Sequence, residues 1–204
     1  MKNIAEVVII VGGVMGCSIL YNLAQQGLHD SLLLERDVLG SGSTGRSQAI
    51  CRMHYSNPIT ASMAWDSLKI FTNFAEIIGG TSSFVETGYL VIVDAIDRDS
   101  MALNVGMQQA LGIDTRLITA GEARELAPMV SVDEDEGLAW EPQSGYADPY
   151  MVTTSYATRA RELGAEIAQR TPATTIEISG GQVRAVNTAQ GRVETPIVVV
   201  AAGP

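Results

Sequence analysis

Two glycine-rich stretches of this chain could hold a phosphate. A literal G-x-G-x-x-G falls on Gly40, Gly42 and Gly45, and a looser version lies in Val7-Val8-Ile9-Ile10-Val11-Gly12-Gly13-Val14-Met15-Gly16. Pyrophosphate binding needs the glycines directly between a strand and a helix, so that the free N–H groups of the first helical turn face the anion. The residues between Gly45 and Pro58 show no long helical period, so the literal match reads as a decoy. The second stretch has the required order: an apolar β-branched run, a turn, then Leu20, Leu23 and Ala24 at helical spacing. Its fingerprint positions fall on Val11, Gly13 and Gly16, and the first is not glycine. Gly13 would admit the pyrophosphate to the backbone, and Gly16 would let helix and strand pack closely. Glu35, closing the next apolar run, stands where a carboxylate accepts adenosine-ribose hydroxyls and rejects a 2′-phosphate. Together these residues predict dinucleotide binding. A branched residue at position 11 should strain the turn and shift it onto Gly12, drawing the Gly13–Met15 N–H groups away from the anion.

The secondary structure that carries these residues is set by the apolar pattern. Residues 7–11, 32–34 and 197–201 are short continuous apolar runs, as expected of parallel strands covered on both faces. A helix over about 13–26, capped by Gly27, joins the first two into a βαβ unit. Asn57-Pro58 opens a second helix, with Ala64, Leu68, Phe71, Ala75 and Ile78 on one face, that Gly79-Gly80 stops. Further on, 88–94 reads as a strand and 99–111 as a helix, while Thr119-x-x-Glu122 is a capping box for a short helix ended by Pro128. The acidic run 133–136 is a solvated turn. Residues 138–146 are extended, Asp148-Pro149 starts a helix over 150–163, and 174–178 with 183–188 flank a hairpin turn at Ser179-Gly180-Gly181-Gln182.

Composition excludes several classes. The 204 residues include 13 Lys+Arg against 23 Asp+Glu, a net charge of −10, with no basic cluster to meet a nucleic-acid backbone. His29, His54, Cys17 and Cys51 show no paired spacing suited to a metal, and no metal is expected. The two cysteines read as reduced thiols in a cytoplasmic setting. The apolar run ending at Cys17 superficially resembles a lipidated secretory leader, yet Glu6 abuts it and it is far short of the ~20 residues that span a bilayer, so no membrane association is expected.

The stretches 7–17, 32–37, 40–52, 145–149 and 198–204 resemble the FAD-dependent oxidoreductase family of D-amino-acid oxidase, glycine oxidase and sarcosine oxidase, most closely its sarcosine oxidase β-subunit and dimethylglycine dehydrogenase branch. The resemblance implies FAD as cofactor and assigns roles residue by residue. Gly12, Gly13, Val14 and Met15, with Gly16 behind them, would hold the pyrophosphate; Glu35 and Arg36 would hold the adenosine ribose. Ser43, Thr44 and Ser47 would reach toward phosphate and flavin, Pro172 and Ala173 would meet adenine through their backbone, and Ala202 and Gly203 would pass beneath the cofactor. Arg52 sits where sarcosine-oxidase-like members carry an arginine for the substrate carboxylate, whose geometry a guanidinium fork matches, and His54 would tune the flavin or the amine's protonation state. Members carry glycine where this chain has Val11, and they continue well past residue 204, so the chain reads as an N-terminal portion that should be inactive alone.

The fold class expected is α/β: a Rossmann-like, doubly wound FAD-binding domain from residues 1–80 and 145–204, interrupted at 81–144 by part of an α+β substrate domain. The function implied is FAD-dependent oxidation of a small secondary or tertiary amine or amino acid, such as sarcosine, dimethylglycine or glycine, by hydride transfer to flavin N5. The expected partners are that small carboxylated amine and a partner subunit. Two alternatives are a catalytically inactive FAD-binding fragment or subunit and an NAD-dependent dehydrogenase, which shares the first βαβ unit.

Overall fold

The computed structural model describes residues 1–203. In chain order the elements are β1 (Val7–Ile10), α1 (Val14–Gln25), β2 (Ser31–Leu34), β3 (Ile50–Cys51), α2 (Pro58–Thr72), α3 (Phe74–Ile77), β4 (Val85–Glu86), β5 (Tyr89–Val93), α4 (Arg98–Ala110), β6 (Arg116–Leu117), α5 (Ala120–Leu126), β7 (Gly137–Glu141), β8 (Gly145–Tyr146), α6 (Pro149–Glu162), β9 (Glu166–Ala168), β10 (Ala173–Ser179), β11 (Gln182–Thr188), β12 (Gly191–Glu194) and β13 (Ile197–Val200). They divide between two compact units. The first holds Met1–Gln48, Phe74–Ser83 and Asp148–Pro204, the second Ala49–Asn73 and Phe84–Ala147.

The first unit is built on a four-stranded parallel sheet in the order β13-β1-β2-β9, the α/β, Rossmann-like arrangement expected. Register decides its two faces. Val8 pairs with Leu32 and Ile10 with Leu34, so these side chains share one face and pack with Val186 and Val193 of the antiparallel meander β10-β11-β12. Ile9 and Leu33 point the other way, and Leu33 lies against α1 beside Gly16. α1 packs on α6, where the Tyr21 and Tyr156 rings meet at 5.4 Å and Phe74 meets Tyr156 edge-on at 5.3 Å. The β10–β11 turn places Gly180 and Gly181 at φ +60° and +74°, the double positive φ of a tight primed hairpin. Asp148 accepts hydrogen bonds from the Tyr150 and Met151 N–H groups and so fixes the start of α6.

The second unit contains two three-stranded antiparallel sheets, β3-β8-β4 and β5-β7-β6, with α2, α4 and α5. Met53, Ala61, Leu68 and Ile113 form one of its cores, and Met101, Val105 and Ala139 another. Asn57 caps α2 and the Thr119–Glu122 capping box opens α5. The helix expected to run unbroken from 58 to 78 instead ends at Thr72, and α3 begins afresh at Phe74. The Asn73 amide donates back to the Lys69 carbonyl, a local bond that competes with helix continuation.

Candidate functional site

In the first unit the dinucleotide residues gather at the carboxyl end of the parallel strands, where ligands of open α/β sheets bind. β1 runs into Val11, whose N–H donates to the Leu34 carbonyl at 2.8 Å, and the Ala201 N–H donates to the Ile10 carbonyl at 3.0 Å. The turn after β1 and the segment after β13 therefore leave the sheet side by side. Val11 has φ +88°. The expected shift of the turn onto Gly12 does not occur: Gly12 is not among the positive-φ residues, and the valine takes the left-handed backbone itself. The β1 and β2 ladder holds residue 11 in place from the strand side, and its carbonyl is fixed on the helix side. A Cβ on Gly16 would lie 1.9 Å from the Val11 oxygen, so that oxygen and the first turn of α1 fit only around glycine.

α1 begins at Gly13 without a side-chain cap from that residue and without an acidic residue in its first turn. Its amino end thus presents N–H groups in an uncompensated positive field, suited to a pyrophosphate. A Cβ on Gly13 would meet only the Thr44 hydroxyl, at 3.0 Å. That hydroxyl accepts the Val14 N–H at 3.0 Å, which places Thr44 at the helix mouth. Val14 is half-buried, and Met15 is 64% exposed at the same end. The decoy glycines form no strand-to-helix turn, only a loop ending in a short 3-10 segment at Thr44–Arg46. Yet the Gly40 N–H donates to the Gly12 carbonyl at 2.9 Å, so this loop is what carries Ser43 and Thr44 to α1. Gly203 lies near the Ser43 hydroxyl, and exposed Ala202 precedes it; exposed Ser47 closes the 3-10 segment, its N–H donating to the Thr44 carbonyl at 3.2 Å.

Glu35, 3% exposed, does more than the sequence suggests. One carboxylate oxygen accepts the Gly12 N–H at 2.7 Å and the other the Asp37 N–H at 2.8 Å, tying the end of β2 to the phosphate turn. Each oxygen keeps a second lone pair for a ribose hydroxyl. The Thr171 N–H donates to the Glu35 carbonyl at 2.7 Å and the Arg170 N–H to the Asp37 carbonyl at 2.9 Å. Half-buried Ala173 follows two residues after Thr171 and packs on the cluster that includes Leu34, and Arg36 is exposed. Below the turn, burial pushes the Cys17 thiol up to about 12, with Arg161 opposing and Glu35 reinforcing the shift. Cys17 is inert packing against the Gly12 carbonyl at 3.7 Å.

In the second unit Arg52 and His54 fall together. The Arg52 guanidinium lies over the Tyr55 ring at 4.6 Å and within 5.6 Å of the Tyr89 ring centre, and its Nη1 donates to the His54 carbonyl. Among the described residues no carboxylate lies within ion-pair distance of it. Tyr55 and Tyr89 are thus the aromatic neighbours of this arginine. Glu141 and Gln108 were not singled out in the sequence at all. Glu141 ends β7 opposite Tyr89, is fully buried, and accepts the Met53 N–H at 3.0 Å and the Ser144 hydroxyl at 2.9 Å. Gln108, buried on α4, donates to the Tyr55 carbonyl at 3.0 Å. The only signal for Glu141 was a carboxylate at the end of an apolar strand, beside Trp140. Among the described residues no group of three or more His, Cys, Asp and Glu could hold a metal, and no helix is long and apolar enough to cross a membrane.

Residues 6–204 match the family described as FAD dependent oxidoreductase. The chain belongs to that family. FAD is accordingly its cofactor, and the turn, the start of α1 and Glu35 fit such a ligand. Among relatives of this FAD-dependent oxidoreductase, human (Homo sapiens) mitochondrial sarcosine dehydrogenase is 29% identical, the match covering 100% of this chain and 23% of that protein. The mitochondrial pyruvate dehydrogenase phosphatase regulatory subunit of Mus musculus is 28% identical over 98% of this chain and 23% of its own length. The crystal structure of L-proline dehydrogenase from P. horikoshii superposes with a TM-score of 0.92 at 31% identity, covering 100% of this chain and 54% of that one. The chain thus spans about a quarter of these curated relatives and about half of the solved one.

Proposed function

We propose that the chain serves FAD-dependent oxidation of a small secondary or tertiary amine bearing a carboxylate, of the sarcosine, dimethylglycine or glycine type. The observation that carries this reading is Arg52: a half-buried guanidinium 4.6 Å from the Tyr55 ring centre and 5.6 Å from that of Tyr89, with one N–H bound to a backbone carbonyl and no carboxylate partner among the described residues. Sarcosine and L-proline, named by two of the similar proteins, are both secondary amines with a carboxylate one carbon from nitrogen. In this reading the first unit holds the cofactor through Gly12, Gly13, Val14, Met15, Gly16, Glu35, Arg36, Ser43, Thr44, Ser47, Ala173, Ala202 and Gly203. The second unit binds substrate, refining the 1–80, 81–144 and 145–204 division expected from the sequence. When bound, FAD supplies the acceptor for the hydride equivalent leaving the carbon next to the amine. Arg52 orients the substrate by its carboxylate, and His54 takes a proton from the amine nitrogen. A cytoplasmic setting and a partner subunit belong to the same proposal.

The match to an FAD family removes the NAD-dependent alternative. A binding subunit without turnover stays in view because one similar protein is named a regulatory subunit. Calorimetric titration tests the place given to Arg52. Arg52→Lys should weaken N-methylglycine far more than dimethylamine, since lysine keeps the charge but lacks the two-pronged contact with the carboxylate. Equal effects on both amines, or no binding of either by the native protein, would remove Arg52 from a substrate site.

A further inference from the structure

The second unit contains a pair of buried polar atoms that the proposed function leaves unused. His54 Nδ1 and Glu141 Oε1 face each other at 3.6 Å, and neither has a hydrogen-bond partner among the described residues. Every other demand on this carboxylate is met through its second oxygen, which takes both the Met53 N–H and the Ser144 hydroxyl. Glu141 is fully buried, and the His54 side chain is 12% exposed although its Nδ1 is not. A buried carboxylate oxygen without a donor is costly, as is a buried ring nitrogen without a partner. Both costs vanish together if Nδ1 carries a proton and the two atoms close by a few tenths of an ångström to ordinary hydrogen-bond length.

The segment around the pair is built to hold that arrangement. Glu141 sits at the end of β7, locked opposite Tyr89 by the β5–β7 register. Its grip on the Met53 N–H fixes the backbone immediately before His54. Arg52 donates to the His54 carbonyl and stacks on Tyr55, which Gln108 holds from α4. The charged group shown against the imidazole is the Glu141 carboxylate, whose free Oε1 can accept from Nδ1.

We propose that Glu141 is the positioning residue of His54. It accepts the Nδ1–H, fixes the tautomer of the neutral ring, and leaves Nε2 as the bare acceptor nitrogen. Its bearing on chemistry rests on the reading of Arg52 and His54 given above: a carboxylated amine bound on Arg52 passes its ammonium proton to His54 Nε2, and the resulting imidazolium keeps its Nδ1–H on the buried carboxylate. The proton is the only group moved, and the amine gains the free lone pair that oxidation next to nitrogen requires.

The test is long-range 1H–15N NMR of the histidine rings in the full chain, recorded across pH so that the neutral forms are seen. The sequence has two histidines, and a His29→Gln variant assigns the signals. Neutral His54 should carry its proton on Nδ1, opposite to the preference of free histidine, while exposed His29 should follow the free preference. Glu141→Gln should reverse His54, because the amide oxygen can keep Met53 and Ser144 while its NH2 donates into Nδ1 and drives the ring proton to Nε2. An Nε2–H tautomer in the native protein overturns the proposal, as does a tautomer that Glu141→Gln leaves unchanged; the native arm stands even if the variant does not fold. Adding N-methylglycine should then shift the His54 Nε2 resonance. With the Nδ1–H tautomer found and no such shift, the substrate reading fails while the hold of Glu141 on the ring stands.

Discussion

Replacing Val11 by glycine and by alanine examines the phosphate turn at its most unusual residue. Val11 is a β-branched side chain at φ +88°, a backbone region where strain is about 1–3 kcal/mol for anything but glycine. Its side chain is half-buried, so removing it forfeits about 1 kcal/mol of apolar burial. Glycine adds an entropic cost on folding of roughly 0.5–1 kcal/mol. These opposing contributions leave Val11→Gly within about 1 kcal/mol of the native protein. Val11→Ala loses the same contacts but keeps most of the strain, and should be the least stable of the three. Glycine is therefore expected to exceed alanine by about 1 kcal/mol, where at an ordinary strand end alanine exceeds glycine by about 0.5–1 kcal/mol. The sign of that difference, read from equilibrium urea denaturation by far-UV circular dichroism, is the decisive quantity. Alanine more stable than glycine would refute the left-handed turn at position 11. Because the valine takes the strain without displacing Gly12 or Gly13, FAD affinity should change by less than tenfold, or about 1.4 kcal/mol, in Val11→Gly.

Two groups in the first unit give further expected outcomes. Glu35→Gln leaves one amide oxygen for two backbone donors, Gly12 and Asp37, and turns an NH2 toward the other; destabilisation of about 1–3 kcal/mol is expected in urea denaturation, and an unchanged midpoint would contradict the latch. The Cys17 thiol, raised by burial from 9.0 to about 12, keeps its proton in the folded chain at pH values where the unfolded chain releases it. Stability is therefore fully retained below pH 9.0 and declines between 9.0 and about 12. Cys17→Ala should lessen that alkaline decline, and identical pH profiles would count against it.

The parts of this fold legible in the sequence are those in which local chemistry and tertiary demand coincide. The continuous apolar runs around Val8 and Leu33 betrayed parallel strands because both faces are covered, whereas β13 pairs in parallel with β1 although Ile197 and Val200 are exposed; Asn57, Thr119 and Asp148 announced helix starts because their side chains take the first free N–H groups. The features that stayed hidden depend on partners distant in sequence. Glu166–Ala168 is too short to show a period, and it becomes a strand only through its ladder with Leu32–Leu34. The role of the literal glycine motif was read half correctly: it binds no phosphate by a strand-to-helix turn, but the Gly40 N–H anchors its loop on Gly12 and so delivers Thr44. The slot around Arg52 was invisible for the same reason. Tyr89 and Glu141 are brought to it by cross-strand register, which no spacing within one segment encodes.

The proposed oxidation depends on the turn Gly12–Gly16, with Glu35 behind it, holding FAD by its pyrophosphate and adenosine half. Titrating the chain separately with FAD and with FMN, following flavin fluorescence at one salt concentration and pH, isolates that hold, because FMN carries the flavin but lacks the adenosine and the second phosphate. Saturable one-to-one binding of FAD, with FMN weaker by well over tenfold, is the predicted result. Equal binding of the two flavins, or no saturable binding of FAD, would contradict the account.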